Sequence, residues 1–207
     1  MTRGAWICVD GVEGAGKTTV SRHLATVLPA SLASEFSGAP FGSALRTAVR
    51  TKPHFISASP IGQSLVFLGD FFELVASAVE PKLCAGETVI TDRGYLSKYM
   101  YQEVVLEREL NETATWRLLD EVFSHLLVPD LTLLLSAPTD ILCARLLVRD
   151  GHCDRGRQEF IVSAEIAARR RIARGPQIAA VVVDTNRPLD VVLRDVESTV
   201  RSHLTGG

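Results

Sequence analysis

The chain has 207 residues, 46% hydrophobic and 22% charged, which fits one packed domain over 1–207 and excludes a mainly disordered chain. With 24 acids against 22 bases the net charge is −2, which speaks against a general nucleic-acid binder. The longest apolar runs, such as 131–137, fall short of the roughly 18–20 residues of a membrane span, and Asp10 comes too early for a secretory leader. A soluble cytoplasmic protein without membrane contact is therefore expected.

In chain order, Ala5–Val9 is a short apolar run stopped by Asp10–Gly11 and reads as a buried strand. A Gly-rich turn follows. From Lys17 the apolar residues Val20, Leu24, Val27 and Leu28 recur at helical spacing until Pro29. Ser31–Glu35 reads as a second strand and Gly42–Arg50 as a helix, broken by 51–57. Ser59–Pro60 is a cap followed by proline at the first helical position, opening a long apolar helix to about Leu83. Glu87–Thr91 is a third strand. Helices follow over Leu96–Arg108 and Thr113–Leu127, with Asn111 between them as break and cap. Leu131–Leu135 is a fourth strand, Pro138–Arg149 a helix, 150–157 a loop, and an Arg-rich helix runs to about Arg174. Ala179–Val183 and Pro188–Leu204 close the chain as strand and helix.

Strands alternating with helices imply an α/β fold: a three-layer sandwich with a five-stranded, mainly parallel sheet. Ligands then bind beyond the strands' carboxyl ends, where Asp10, Asp92 and Asp184 stand. Asp10 reads as structural, because it precedes the turn.

Gly11-Val-Glu-Gly14-Ala15-Gly16-Lys17-Thr18 fits G-x-x-x-x-G-K-[ST], after a strand and before a helix. Successive backbone N–H groups and the helix N-terminus can hold phosphate oxygens. The nucleotide-binding set is Gly11, Gly14, Ala15, Gly16, Lys17, Thr18 and Thr19. Lys17 brings charge to the terminal phosphates, and Thr18 offers a hydroxyl to Mg²⁺. Between 145 and 174 stand eight Arg and four acids, a local excess of +4 that suits an anionic partner. The dense run Arg169, Arg170, Arg171, Arg174 reads as a solvated helix face. Cys8, Cys84, Cys143 and Cys153 show no C-x-x-C spacing, so neither a zinc nor a redox motif is indicated, and Cys153 is given no role. Phe67 and Phe71, one helical turn apart, read from periodicity as core residues.

GVEGAGKTT, FGSALR (41–46), SLVFLGD (64–70), DRGYLSKYMYQ (92–102), PDLTLLLSAP (129–138), RDGHCDR (149–155) and VVVDTNRPLDVV (181–192) follow the order seen in thymidylate kinases. The chain resembles a divergent member of that family over nearly its whole length. The resemblance implies ATP- and Mg²⁺-dependent phosphoryl transfer to a nucleoside monophosphate, a mobile Arg-bearing lid over about 149–158, and a homodimer. It implies that Lys17 holds the ATP phosphates, that Thr18 and Asp92 serve Mg²⁺, and that Glu13 contacts the acceptor sugar. Arg93 would contact the acceptor phosphate, and Phe67 would stack on the base. Ser97, Tyr101 and Gln102 match acceptor-pocket positions, and Phe71 occupies the place of a base-reading Arg. With Ala at 15, the catalytic cation is assigned to the lid, where Arg149, Arg155 and Arg157 stand, Arg155 ranked first and Arg149 next. Three departures stand out: Ser34 and Phe71 replace arginines, and Gly94 replaces a tyrosine. Arg46 and Lys98 are candidates to compensate for the lost phosphate contact. The altered acceptor half leaves two other readings: a kinase for a nucleoside or another small hydroxyl compound, and a non-catalytic nucleotide-binding regulator.

Overall fold

The computed structural model describes residues 3–51, 58–174 and 178–205; the break expected at 51–57 lies, from 52 onward, outside the described residues. The first apolar run becomes the centre of the sheet. Strand β1 (Trp6–Gly11) is buried at every position. It pairs in parallel with β3 (Thr88–Asp92) on one side and β4 (Leu131–Ser136) on the other. Strands β2 (Ala30–Ser34) and β5 (Ala180–Asp184) form the edges, giving the order β2-β3-β1-β4-β5, all parallel. A strand covered on both faces needs apolar residues throughout, which is why β1 and β4 read as continuous runs.

Helices α1 (Lys17–Val27), α2 (Pro40–Thr51) and α3 (Pro60–Leu74) follow in order. Ser59 Oγ accepts the Gly62 N–H at 3.0 Å and opens α3 as the sequence implies. The long helix is not uniform. A π-helical turn at Val75–Val79 precedes α4 (Glu80–Cys84), and the Glu80 N–H reaches back to the Val75 carbonyl. Pro81 has no N–H to give to the preceding turn, and the wider turn absorbs that loss. By length and composition alone Pro60–Cys84 could cross a membrane, although it holds no unbroken apolar run of that length. Here Leu68, Phe71, Leu74, Val75, Val79 and Leu83 place one face of it in the core.

Helix α5 (Tyr95–Leu106) is almost wholly enclosed, and α6 (Glu112–Ser124) is capped by Asn111 accepting the Ala114 N–H at 2.9 Å. Helix α7 (Thr139–Asp150) runs further than its sequence suggests, and α8 (Arg155–Arg174) starts sooner. The expected loop over 150–157 is reduced to Gly151–Asp154. Gly151, at φ 78, ends α7 in the left-handed region, and Asp154 Oδ1 accepts the Arg157 N–H at 2.8 Å to begin α8. Helix α9 (Leu189–Thr205) covers the sheet beside α1.

The Arg-rich run of α8 is not a solvated face. Arg171 is 6% exposed and lies over the Tyr99 ring at 5.0 Å. Arg174 sits 3.9 Å from the Trp116 ring centre and pairs with Asp120 at 2.7 Å, while Arg170 pairs with Glu103 at 2.7 Å. These cations join α8 to α5 and α6, because α5 and α6 supply acids and rings where α8 supplies guanidinium groups. Arg169, half-exposed beside Glu165, is the member that fits the solvated reading.

Candidate active site

The register brings three loops to one end of the sheet. Asp92 is level with Val9 of β1 and Ser34 of β2. The residues that follow, the 11–17 loop, Glu35 and Arg93, emerge side by side at the carboxyl edge. Backbone bonds secure them: the Arg93 N–H donates to the Val9 carbonyl and the Glu35 N–H to the Asp92 carbonyl, each at 3.1 Å. Buried Asp10 accepts N–H groups from Gly94, Leu96 and Ser97, so it caps α5 and is structural. Gly94 fits so tightly that a Cβ there would overlap the Cys8 sulfur.

A cleft opens over the Gly-rich loop, lined by Gly14, Gly16, Lys17, Thr18 and Thr19. Gly14 and Gly16 have φ of 78 and 94, where a side chain would be strained. Helix α1 begins with no side-chain cap, so its first N–H groups face the cleft. Gly11 and Ala15 lie beneath the loop and line no part of the cleft. Lys17 Nζ donates to the Val12 carbonyl at 2.7 Å. Burial, with the Arg93 cation nearby, pushes its pKa down to about 7. Thr18 Oγ1 donates to Asp92 Oδ2 at 2.6 Å. A hydroxyl beside a carboxylate, next to a phosphate cradle, is a donor set suited to Mg²⁺.

The 149–158 segment orders its cations differently from the expectation. Arg157 is 3% exposed, with Nη2 2.6 Å from Glu13 Oε2 and 2.7 Å from Asp150 Oδ2. Arg149 lines the cleft and, with Arg157, holds the Asp150 carboxyl well below the usual range. Arg155 is 91% exposed, pairs with Glu159 one turn on, and lines neither cavity. The early start of α8 points Arg155 outward and Arg157 inward. Arg145, one turn before Arg149, lines the cleft and donates to the Gly14 carbonyl at 3.2 Å.

A second cavity adjoins the first. Phe67, Gln63, Tyr101, Gln102, Lys98 and Phe160 line it, and it shares Glu13, Glu35 and Arg93 with the cleft. Glu35 bridges Arg93 Nε at 2.8 Å and Lys98 Nζ at 3.0 Å. Burial alone would raise the Glu35 pKa; the two cations overcome this and hold it at about 2. Phe160 stacks on Tyr101 at 5.6 Å and 9°. Burial pushes the Tyr101 phenol up to about 12, against the pull of Arg93.

Two expected pocket residues are elsewhere. Phe71 is fully enclosed, 6.4 Å from both the Trp6 and Phe123 rings. One turn beyond Phe67, α3 has left the cavity for the core, where an apolar ring gains most from burial. The periodicity reading of Phe71 therefore holds, and its pocket assignment does not. Ser97 is also fully buried and lines neither cavity.

Residues 9–196 match the family model described as Thymidylate kinase. A thymidylate kinase of Halorhodospira halophila is 31% identical over 99% of this chain and 97% of its own length. One from Pseudomonas fluorescens is 32% identical over 94% of each chain, and one from Prochlorococcus marinus 29% over 97% and 95%. The chain belongs to the thymidylate kinase family. Its all-parallel sheet and phosphotransferase character follow from that membership.

Against the family pattern quoted above, Ser34 ends β2 as an exposed residue, and Phe36 adopts a left-handed φ of 70. Of the two candidate replacements for the lost arginine, Lys98 reaches the cavity, 5.0 Å from the Phe36 ring and 5.7 Å from that of Phe67. Arg46 donates to the Glu35 carbonyl at 3.2 Å and lines neither cavity. Sequence reasoning gave no role to Glu35, Arg145, Gln63 or Phe160. Arg145 was open to detection, since it shares a helix face with Arg149. Phe160 was not, because its cavity depends on how α8 packs along α5.

Proposed function

We propose that this protein transfers the γ-phosphoryl group of ATP, with Mg²⁺, to a nucleoside monophosphate other than thymidine monophosphate. The observation that carries this reading is the shared wall: Glu13, Glu35 and Arg93 border both the phosphate cleft and the aromatic cavity. Two ligands held in adjoining cavities that meet at these residues can be brought in line, which is most of what phosphoryl transfer requires. Lys17 and the N–H groups of Gly14, Gly16, Lys17 and Thr18 hold the donor phosphates. Thr18 and Asp92 would hold Mg²⁺, which neutralises phosphate charge when bound. Arg93 and Lys98 receive the acceptor phosphate, with Glu35 orienting both. Phe67 stacks on the base, and Glu13 faces the acceptor sugar. Arg157 supplies transition-state charge in place of the expected Arg155, with Arg149 beside it. Tyr101 and Gln102 close the acceptor side.

The acceptor departs from thymidine monophosphate because the base-reading Arg is absent and Phe71 is core. The amides of Gln63 and Gln102, with the Arg108 guanidinium on the same cavity, are polar groups able to read a base edge. Losing a charged contact costs about 1–3 kcal/mol in discrimination. The unit acts as a cytoplasmic homodimer. Leu65 and Val66, both about half-exposed on the outer face of α3, support pairing through that helix.

The test is kcat/KM across a panel of nucleoside monophosphates and free nucleosides with ATP and Mg²⁺. A tenfold preference for thymidine monophosphate would refute the altered-acceptor reading. A preference for free nucleosides would favour a nucleoside kinase, consistent with Ser34 in place of the phosphate Arg. ATP binding without turnover of any acceptor would indicate a regulator.

A further inference from the structure

Two of the four cysteines meet at the base of the lid. The Cys153 thiol contacts Cys143 with the sulfurs 2.7 Å apart, and both are free. A disulfide closes at about 2.05 Å, so the sulfurs need approach by well under 1 Å. Cys143 is buried on α7, and Cys153 is half-buried in the Gly151–Asp154 loop joining α7 to α8. We propose that Cys143 and Cys153 form a reversible disulfide that pins the lid loop to α7.

The oxidant is a low-molecular-weight disulfide. The Cys153 thiolate, the more exposed of the two, attacks one sulfur of that disulfide and releases one small thiol. The Cys143 sulfur then attacks Cys153, forms the internal bond and expels the second small thiol. The two protein thiol protons end on the two released thiols, the protein loses two electrons, and the small disulfide gains them. Burial raises the Cys143 thiol to about 11, which disfavours it as the first nucleophile and leaves it the resolving role. In a reducing compartment such a bond is transient and reports the redox state.

Cys153 stands between two residues that orient Arg157. The His152 carbonyl accepts from Arg157 Nη1 at 3.1 Å, and Asp154 caps the helix that carries it. Pinning Cys153 thus holds Arg157 over Glu13. An effect on turnover would rest on the phosphoryl-transfer reading above; the bond and the pinning do not.

The experiment treats the folded full-length chain with oxidised glutathione, then maps peptides without reductant and follows hydrogen exchange of the 151–158 amides. A Cys143–Cys153 peptide pair is expected, with the protein lighter by two hydrogens and exchange slowed at least threefold. Dithiothreitol should reverse both effects. Cys84→Ser should retain them and Cys153→Ser should lose them. Glutathione retained on Cys153, no linked peptide, or a linked protein with unchanged exchange would each overturn the proposal. None of these readouts depends on which acceptor, if any, is phosphorylated.

Discussion

Replacing Glu35 with Gln tests the charge cluster between the two cavities. In the folded chain its carboxylate lies 2.8 Å from Arg93 and 3.0 Å from Lys98 and titrates at about 2 instead of 4.5. At ~1.36 kcal/mol per pKa unit that gap corresponds to about 3 kcal/mol. The side chain is 27% exposed, so solvent screening lowers the expected cost of Glu35→Gln at pH 7 to about 2 kcal/mol. The folded pKa is depressed, so this stabilisation is full above about pH 4.5 and fades as pH falls through about 2. Urea unfolding of both proteins at pH 7 and pH 3 measures it. The stability difference should shrink to less than half at the lower pH. In a chain of this length the loss at pH 7 corresponds to a fall in Tm of about 4–8 °C. Equal differences at both pH values, or a cost below about 0.5 kcal/mol at pH 7, would refute the assignment of the shift to the two cations.

Lys17 titrates near 7 in the free protein, and bound phosphates should raise that value, so ATP binding at pH 8 should take up most of one proton and at pH 6 almost none. Calorimetry in buffers of different ionisation enthalpy detects this, and equal uptake at both pH values would contradict the buried-lysine account. Arg157→Ala should lower kcat at least tenfold with little change in ATP affinity, whereas Arg155→Ala should stay within twofold of wild type in steady-state assays. The reverse ranking would show that α8 rearranges during turnover. Phe71→Ala should cost about 3–5 kcal/mol in urea unfolding, because it empties a site between Trp6 and Phe123. A small stability loss with a changed acceptor preference would return Phe71 to the pocket.

The sheet and the Gly-rich loop were legible in the sequence because each depends on local chemistry. Ala5–Val9 and Leu131–Leu135 announce buried strands by composition, and the loop declares itself by the spacing of Gly11, Gly16 and Lys17. Ser59 and Asn111 marked helix starts for the same reason: a cap bonds within three residues. What escaped depends on contacts between distant segments. Arg157 is among the lid arginines but is not ranked first from sequence: it turns inward only because Asp154 starts α8 before it, and its partner Glu13 lies 144 residues away. Glu35 gains its role from Lys98, 63 residues on, through a parallel register that no short window contains. The Arg169–Arg174 run misled because charge is read as solvated unless the rings and acids of α5 and α6 are known to face it.

The tight seat of Gly94 has a consequence for how this chain can change. The resemblance places a tyrosine there, yet a Cβ at that position would overlap the Cys8 sulfur and crowd Thr91 Oγ1 at 3.0 Å. Gly94 begins the turn that Asp10 caps, so the backbone has little room to retreat. Positions 8 and 94 are therefore epistatic. Any larger residue at 94 needs the Cys8 side chain to move or shrink and must still fit against the Cys8 Cβ at 2.9 Å, so routes towards a tyrosine involve the β1 position as well. A library that varies the 92–102 segment alone would leave the Cys8 contact in place, whereas one that varies 8, 91 and 94 together addresses the side chains nearest that position.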